Sequence, residues 1–339
     1  MLDFNQKLRR EKYNQDTGYI NINEIAVLKN TNYAIINMPL DGEAPKQYIK
    51  AYIYKSGTNV RKANPKTWGA YFAKFGSKAY PNESVIEYVI NKLGENLGLN
   101  INETELVVAN NQIRFLSRNF LAKNQKLIHG IEVLFEYFED EEFVKEIDKD
   151  KKNRRKYLTF KLIEDAISTV YPKSAADLLD SFIQLLTFDA IVGNNDRHHY
   201  NWGFIGDVEK VKNRQPVFAP IYDTARALLW NKTDQSVRNM YKQHFNNSQD
   251  LIAYIEKSKP RVSFERNDSA NHFELINYLS NYNKQYKRII ENMISIEKEE
   301  TLLNYFKDNW YNLFIFERSE LILEIIKLRF SKLREVVSV

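Results

Sequence analysis

GNNDRHHYNWG, residues Gly193 to Gly203, is the stretch from which the rest of the chain can be read. Before it, Ala175 to Val192 is an apolar run of helical length, and Gly193 is a residue type that ends such a helix. After it, Trp202 to Ile205 and Pro216 to Ala219 read as the arms of a hairpin. The segment between is polar and rich in turn formers. It carries Asp196 and, five residues later, Asn201. A non-helical loop with four intervening residues can aim both side chains at one point. A carboxylate there accepts a hydrogen bond from a hydroxyl, and an amide oxygen ligates a hard cation. Beyond the hairpin, Pro220-Ile221-Tyr222-Asp223 supplies a second carboxylate. Plain alternatives stand beside these readings. Asn-Asn-Asp is an ordinary turn sequence, and Asp223 has the side chain to cap a helix that begins at Thr224.

Upstream, the period changes to two at Tyr48 to Tyr54 (YIKAYIY), which predicts a strand. Lys55 to Lys66 (KSGTNVRKANPK) collects turn formers and basic residues and reads as a loop. Its Lys55, Arg61, Lys62 and Lys66 are expected to be solvated. Trp68 to Phe75 (WGAYFAKF) predicts a second strand with Lys74 near its end. A lysine in an apolar strand either snorkels from an edge or answers an anionic partner. Pro81-Asn82 opens a helix with Val85, Val89, Ile90, Leu93 and Leu97 as its apolar positions, closed by Gly98. Glu83 and Glu87 lie one turn apart on it, and either could reach Lys74. Leu106 to Ala109 and Gln112 to Leu121 predict a hairpin turned at Asn110-Asn111.

From His129 onward the pattern is mostly helical: Ile131 to Phe138, Lys161 to Thr169, Ala175 to Val192, and the remainder from Asp250 to Val339. His129 is expected to cap or orient the first of these helices. Arg197, His198 and His199 read as loop-ordering residues, Arg226 and Trp230 as packing residues that could otherwise shape the substrate side of the cleft, and His272 beside Phe273 as a core histidine. The charge run Glu139 to Lys156 reads as a solvated loop or helix face. The expected fold class is therefore α+β and bilobal. Residues 46–125 form a small strand-rich lobe and residues 126–339 a larger helical lobe, with a cleft at the joint. Residues 1–45 are mixed in pattern and stand apart without a role.

Composition removes whole classes of function. The 339 residues are 43% hydrophobic and 27% charged, as in an ordinary globule. There is no cysteine, which excludes disulfides, thiol catalysis and cysteine-ligated zinc. None of the five histidines has His-Glu-x-x-His spacing, and the eleven glycines form neither a dinucleotide fingerprint nor a Walker-A loop. No apolar run approaches the roughly 18 residues of a membrane span, and Met1 to Gln15 lacks the apolar centre of a secretory signal. A cytoplasmic location is expected. Lys and Arg number 49 against 44 Asp and Glu, a net charge of +5 that is too near balance to suggest nucleic acid.

The order of strand lysine, helix glutamate, Asp-x4-Asn loop, hairpin and aspartate is that of protein kinases, whose catalytic loop has the same interval. Longer stretches narrow this. Lys74-Phe75 with Pro81-Asn82-Glu83 through Leu97-Gly98 is one, and Phe115-Leu116-Ser117-Arg118 with Leu127-Ile128-His129-Gly130 is another. With Phe188-Asp189-Ala190 through Asn201-Trp202-Gly203, and Ala219-Pro220-Ile221-Tyr222-Asp223, they resemble the HipA-like serine/threonine kinases. The resemblance runs from about Lys46 to Asn231. It implies an atypical protein-kinase and phosphatidylinositol-kinase-like fold that uses ATP and Mg²⁺. By that resemblance Asp196 is the catalytic base, Asn201 and Asp223 are Mg²⁺ ligands, Lys74 holds the phosphates, and Glu87 matches the helix partner. The resemblance also implies a Ser/Gly-rich phosphate loop, often with an autophosphorylated serine. Ser56, Gly57 and Thr58 are what the loop after the first strand offers. The chain is shorter than full-length HipA toxins, and its first 45 residues do not match their N-terminal subdomain.

The function so implied is ATP- and Mg²⁺-dependent transfer to a Ser or Thr of a protein substrate. Members of this type often act as toxins neutralised by an antitoxin-like partner protein. Two alternatives share the fold: a small-molecule or lipid kinase, and an ATP-binding pseudokinase that recognises a partner.

Overall fold

A computed structural model of the chain describes residues 2–12, 16–39, 46–76, 79–150, 154–208, 215–246 and 249–338. Residues 13–15 and 40–45 of the N-terminal segment, 151–153 of the charge run and the hairpin tip at 209–214 lie outside the described residues.

The N-terminal lobe contains β1 (Leu2–Asp3), β2 (Ala26–Val27), β3 (Tyr33–Ile36), β4 (Lys46–Ala51), β5 (Gly69–Lys74), α1 (Glu83–Asn96), β6 (Thr104–Ala109) and β7 (Gln112–Arg118). These strands make one sheet in the order β1-β3-β4-β5-β7-β6-β2. Successive side chains go to opposite faces, as the pleat requires. Leu106 and Phe115 join the core that contains α1, while Val107 and Leu116 join Ile49, Tyr71 and Ala73 on the other face. Asn110 and Asn111 both adopt left-handed backbone, with φ of 49° and 58°, and close the β6–β7 hairpin in two residues. The first strand stops at Ala51 rather than Tyr54, because Ala51 is the last residue that pairs with β5.

Residues 1–45 join this sheet through β1, β2 and β3, and they bring Leu8 and Leu28 to its core. They also tie the two lobes together. Thr17 accepts from the Asn82 N–H through its hydroxyl (3.0 Å) and from Arg318 through its carbonyl (3.0 Å). Tyr19 and Asn21 donate backbone N–H groups to Asp234 and to the Leu313 carbonyl.

The C-terminal lobe begins with β8 (Gln125–His129), which pairs with β9 (Gly203–Asp207); β10 (Val217–Phe218) pairs with the other edge of β9. Sequence periodicity shows the β9–β10 arms but not β8, a short strand of mixed polarity. Around this ribbon lie α2 (Gly130–Phe138), α3 (Glu141–Lys149), α4 (Arg154–Tyr157), α5 (Phe160–Val170) and α6 (Ala175–Val192). Next come α7 (Asp234–Asn246), α8 (Gln249–Glu256), α9 (His272–Tyr282), α10 (Lys284–Met293), α11 (Ile296–Asn309) and α12 (Phe316–Val337). The charge run is largely helical: α3 is capped by Asp140 and buries Val144 alone. Helix α6 is buried from Leu185 to Val192, where it runs through the middle of the lobe, while Asp177 and Gln184 on its earlier turns are exposed. One hydrophobic core is continuous from α1 to α12. It holds the two lobes against each other and fixes the cleft between them.

Candidate active site

Helix α6 ends at Gly193, whose φ of 78° turns the chain out of the helix. The loop beyond Gly193 is held from inside. The Asn194 side chain donates to Asp189 Oδ1 (2.9 Å) and accepts the Asp196 N–H (3.1 Å). Arg197 grips Asp189 in bidentate fashion, Nε to Oδ2 at 2.8 Å and Nη2 to Oδ1 at 3.0 Å. Both side chains are 1% exposed. A buried pair of this kind is tolerated only when its remaining donors are used. Arg197 Nη1 donates to the carbonyls of Asn201 and Tyr222, each at 2.6 Å. One guanidinium therefore sets the spacing between the loop of Asp196 and Asn201 and the segment that delivers Asp223. Gly203 closes this stretch. A Cβ there would lie 2.2 Å from the Ile128 carbonyl oxygen, so only glycine allows β8 and β9 to pair.

Asp223 is positioned from both lobes. Ile221 exchanges backbone hydrogen bonds with Asn100 and Asn102 (2.8 and 3.0 Å). The buried Thr224 hydroxyl donates to Asn91 of α1 (2.7 Å). No helix begins at Thr224, so the alternative of Asp223 as a helix cap does not apply. Its φ of 51° is sparsely populated for a residue with a side chain, and its carboxylate is 43% exposed to the cleft.

Lys74 ends β5 and reaches across to that carboxylate, forming an ion pair with Asp223. Its Nζ also lies 3.3 Å from Glu87 on α1, while Glu83 faces Arg226 at 3.7 Å. Two carboxylates thus share one ammonium, and they answer differently. Burial pushes Asp223 up, but Lys74 outweighs it and holds the carboxyl below its ordinary value. Glu87, deeper and farther from Nζ, is pushed up to about 7 by burial, with Asp223 adding to the shift and Lys74 opposing it.

A carboxyl with a raised folded-state pKa binds a proton more readily folded than unfolded. Its contribution to stability is present below the ordinary 4.5 and is lost as pH rises through about 7. We expect wild-type Tm to fall across this interval and Glu87→Gln to flatten the fall, as read by thermal melts at a series of pH values. An unchanged slope would assign the titration elsewhere.

These residues meet. Lys74, Glu87, Asp196, Asn201 and Asp223 line one cavity of about 530 Å³ between the lobes. Asn201 Nδ2 donates to the Asp196 carbonyl (2.9 Å), which identifies Oδ1 as the end of the amide that remains an acceptor. Asn201 and Asp223 thus offer hard oxygen donors beside a carboxylate already balanced by a cation. That donor set fits Mg²⁺ shared with phosphate oxygens.

Ser56, Gly57 and Thr58 are not brought to the site, which corrects their reading as phosphate-holding residues. They are exposed, and Thr58 donates its hydroxyl to the Lys55 carbonyl (2.7 Å). The reason is register: Lys46 pairs with Lys74 at the cleft end of the β4–β5 hairpin, and Ala51 pairs with Gly69 at the other end. The loop joining the two strands leaves from that far end, about 17 Å from the cleft along the strand. Lys46, which no sequence pattern singles out, lines the cavity instead.

Two arginines do more than their sequence context suggests. Arg226 stacks on Trp230 (5.5 Å), as packing would have it, but Nη1 also meets Asp196 Oδ2 at 3.1 Å. Arg261 Nη2 meets Asp196 Oδ1 at 2.9 Å from a segment 65 residues downstream, with no local pattern to announce it. His129, at the start of α2, donates its N–H to Glu132 (2.7 Å) and lines the cavity. His272 is a core residue, 1% exposed.

The model of the HipA-like C-terminal domain matches residues 38–300. Among solved structures the chain is similar to a Helicobacter pylori proinflammatory kinase, CtkA, with a TM-score of 0.69 and 20% identity. That match covers 92% of this chain and 96% of the other. A structure of the Shewanella oneidensis MR-1 toxin–antitoxin system, with HipA, HipB and operator DNA, matches at 12% identity over 90% of this chain and 70% of that one. Its TM-score of 0.36 is too low to carry an argument. No curated protein matches the sequence. The likeness to the first structure is one of fold, the bilobal α+β architecture described above.

Proposed function

The chain belongs to the HipA-like C-terminal domain family, and from that premise we propose that it is an ATP- and Mg²⁺-dependent kinase acting on a Ser or Thr of a protein. The observation that carries the reading is the convergence of Lys74, Glu87, Asp196, Asn201 and Asp223, distant in the chain, on one cavity. Asp196 accepts the acceptor's hydroxyl proton. Lys74, aimed by Glu87, anchors the nucleotide phosphates, with Lys46 opposite it on β4. Asn201 and Asp223 would hold Mg²⁺, which would supply charge neutralisation for the phosphates. The residues do little covalent work; they position and neutralise.

Family membership supports a toxin-type role with a neutralising partner protein, and self-phosphorylation belongs to the same reading. No helix among the described residues is long and apolar enough to cross a membrane.

The test is transfer from labelled ATP to a general protein acceptor by the full chain. Chelating Mg²⁺, or replacing Asp223 with Asn, should lower the rate at least about a hundredfold. Persistence of the wild-type rate in Asp223→Asn would remove Asp223 from the metal site.

A further inference from the structure

The oxygens of Asp196 are both engaged, Oδ1 by Arg261 and Oδ2 by Arg226. A general base needs a lone pair free for the incoming hydroxyl. A carboxylate offers about four lone-pair sites and the two guanidinium groups take one each, so an incoming hydroxyl can still bond Asp196, and an anion carried beside that hydroxyl can draw a guanidinium to itself. Arg226 and Arg261 are able to move, being 37% and 39% exposed at the cleft mouth. Their surroundings carry both signs of charge, and Glu83 faces Arg226 at 3.7 Å. Arg154 pairs with Asp148 at 3.2 Å, Arg155 donates to the Ala270 carbonyl at 2.7 Å, and Lys259 is exposed nearby in sequence. Asp148 is occupied by His199 and Arg154, and Asp268 and Glu274 act on Arg155. The Nε atoms of Arg261 and Arg155 are buried without a hydrogen-bond partner among the described residues.

We propose that Arg226 and Arg261 form an acceptor subsite, and that the preferred acceptor is a Ser or Thr flanked by a carboxylate or phosphate. This inference rests on the kinase reading above and names its substrate class. The flanking anion takes a guanidinium from Asp196, and the acceptor hydroxyl is thereby held beside the base. One Arg–anion pair replaces another, and the release costs little. The acceptor oxygen then bonds to the γ-phosphorus of ATP while the bond to the β,γ-bridging oxygen breaks. ADP leaves with that electron pair, and the hydroxyl proton passes to a carboxylate oxygen of Asp196. A lysine-flanked acceptor brings no anion and meets like charge.

The experiment uses the full chain, Mg·ATP and Ser/Thr peptides with neutral, Asp/Glu, phosphoserine or Lys flanks. We expect kcat/KM for the acidic or phosphorylated flanks to exceed that for neutral ones about tenfold, with the advantage shrinking at high salt. Comparing the carboxylate and phosphate series tells which anion the subsite takes. Arg261→Gln should bring the ratio toward one, and Arg261→Lys, which keeps charge but not the fork, should retain part of it. Arg226→Gln is a second probe should Arg261→Gln fail to fold. Equal or better transfer to Lys-flanked peptides overturns the inference and leaves the kinase reading standing. So does a wild-type ratio in both Gln variants. No transfer to any peptide, with no ADP formed, overturns both.

Discussion

Asp196→Asn leaves a folded protein that binds nucleotide and transfers phosphate at least about a hundredfold more slowly than wild type. The substitution keeps the shape of the side chain and removes the charge that accepts the proton. The backbone of the loop has its own supports, since Asn194 and Arg197 hold it through Asp189, not through Asp196. Nucleotide affinity should change little, because Lys74 pairs with Glu87 and Asp223. The loss to stability is small as well. Arg226 and Arg261 give up their shared anion, but both are more than a third exposed and can be solvated, and the amide oxygen that replaces the 14%-exposed carboxylate still accepts a hydrogen bond. Single-turnover transfer separates the rate from binding, and a nucleotide titration checks the affinity. A wild-type rate in the variant would take the role of base away from Asp196.

Arg197→Met has the largest expected effect on folding. Its guanidinium and Asp189 are each 1% exposed, and removing one leaves an unpaired charge in the core. The cost of such a break is about 3–5 kcal/mol, measurable by urea denaturation. Removing both partners is different. Asp189→Leu with Arg197→Met replaces a buried pair by apolar groups and should recover part of the lost stability. It should not recover transfer, because the Asn201 and Tyr222 carbonyls lose the donor that sets their spacing. Recovery of both properties in the double variant would show that Arg197 acts on stability alone.

The elements legible in the sequence were those with strong local signals. The apolar run Ala175 to Val192 and its terminal glycine are a helix with those bounds. The β6–β7 hairpin turns at Asn110-Asn111, and the helix after Pro81-Asn82 begins at Glu83. What escaped had too little sequence to carry a period. Strands β1 and β2 are two residues each and β3 four, and α7 is mostly polar. The phosphate-loop reading failed for a different reason. A Ser-Gly-Thr loop has suitable chemistry wherever it sits, and which end of a hairpin faces the cleft is not a local property.

Residue types and their intervals were enough to determine the fold class and to nominate Lys74, Glu87, Asp196, Asn201 and Asp223, because backbone punctuation and hard-oxygen chemistry are written locally. Only the tertiary structure placed Lys46 in the cleft in place of Ser56, turned Glu83 toward Arg226, and set Arg226 and Arg261 upon Asp196. Those choices depend on strand register and on contacts between segments far apart in the chain. They exist only once the core running from α1 to α12 has brought the lobes together.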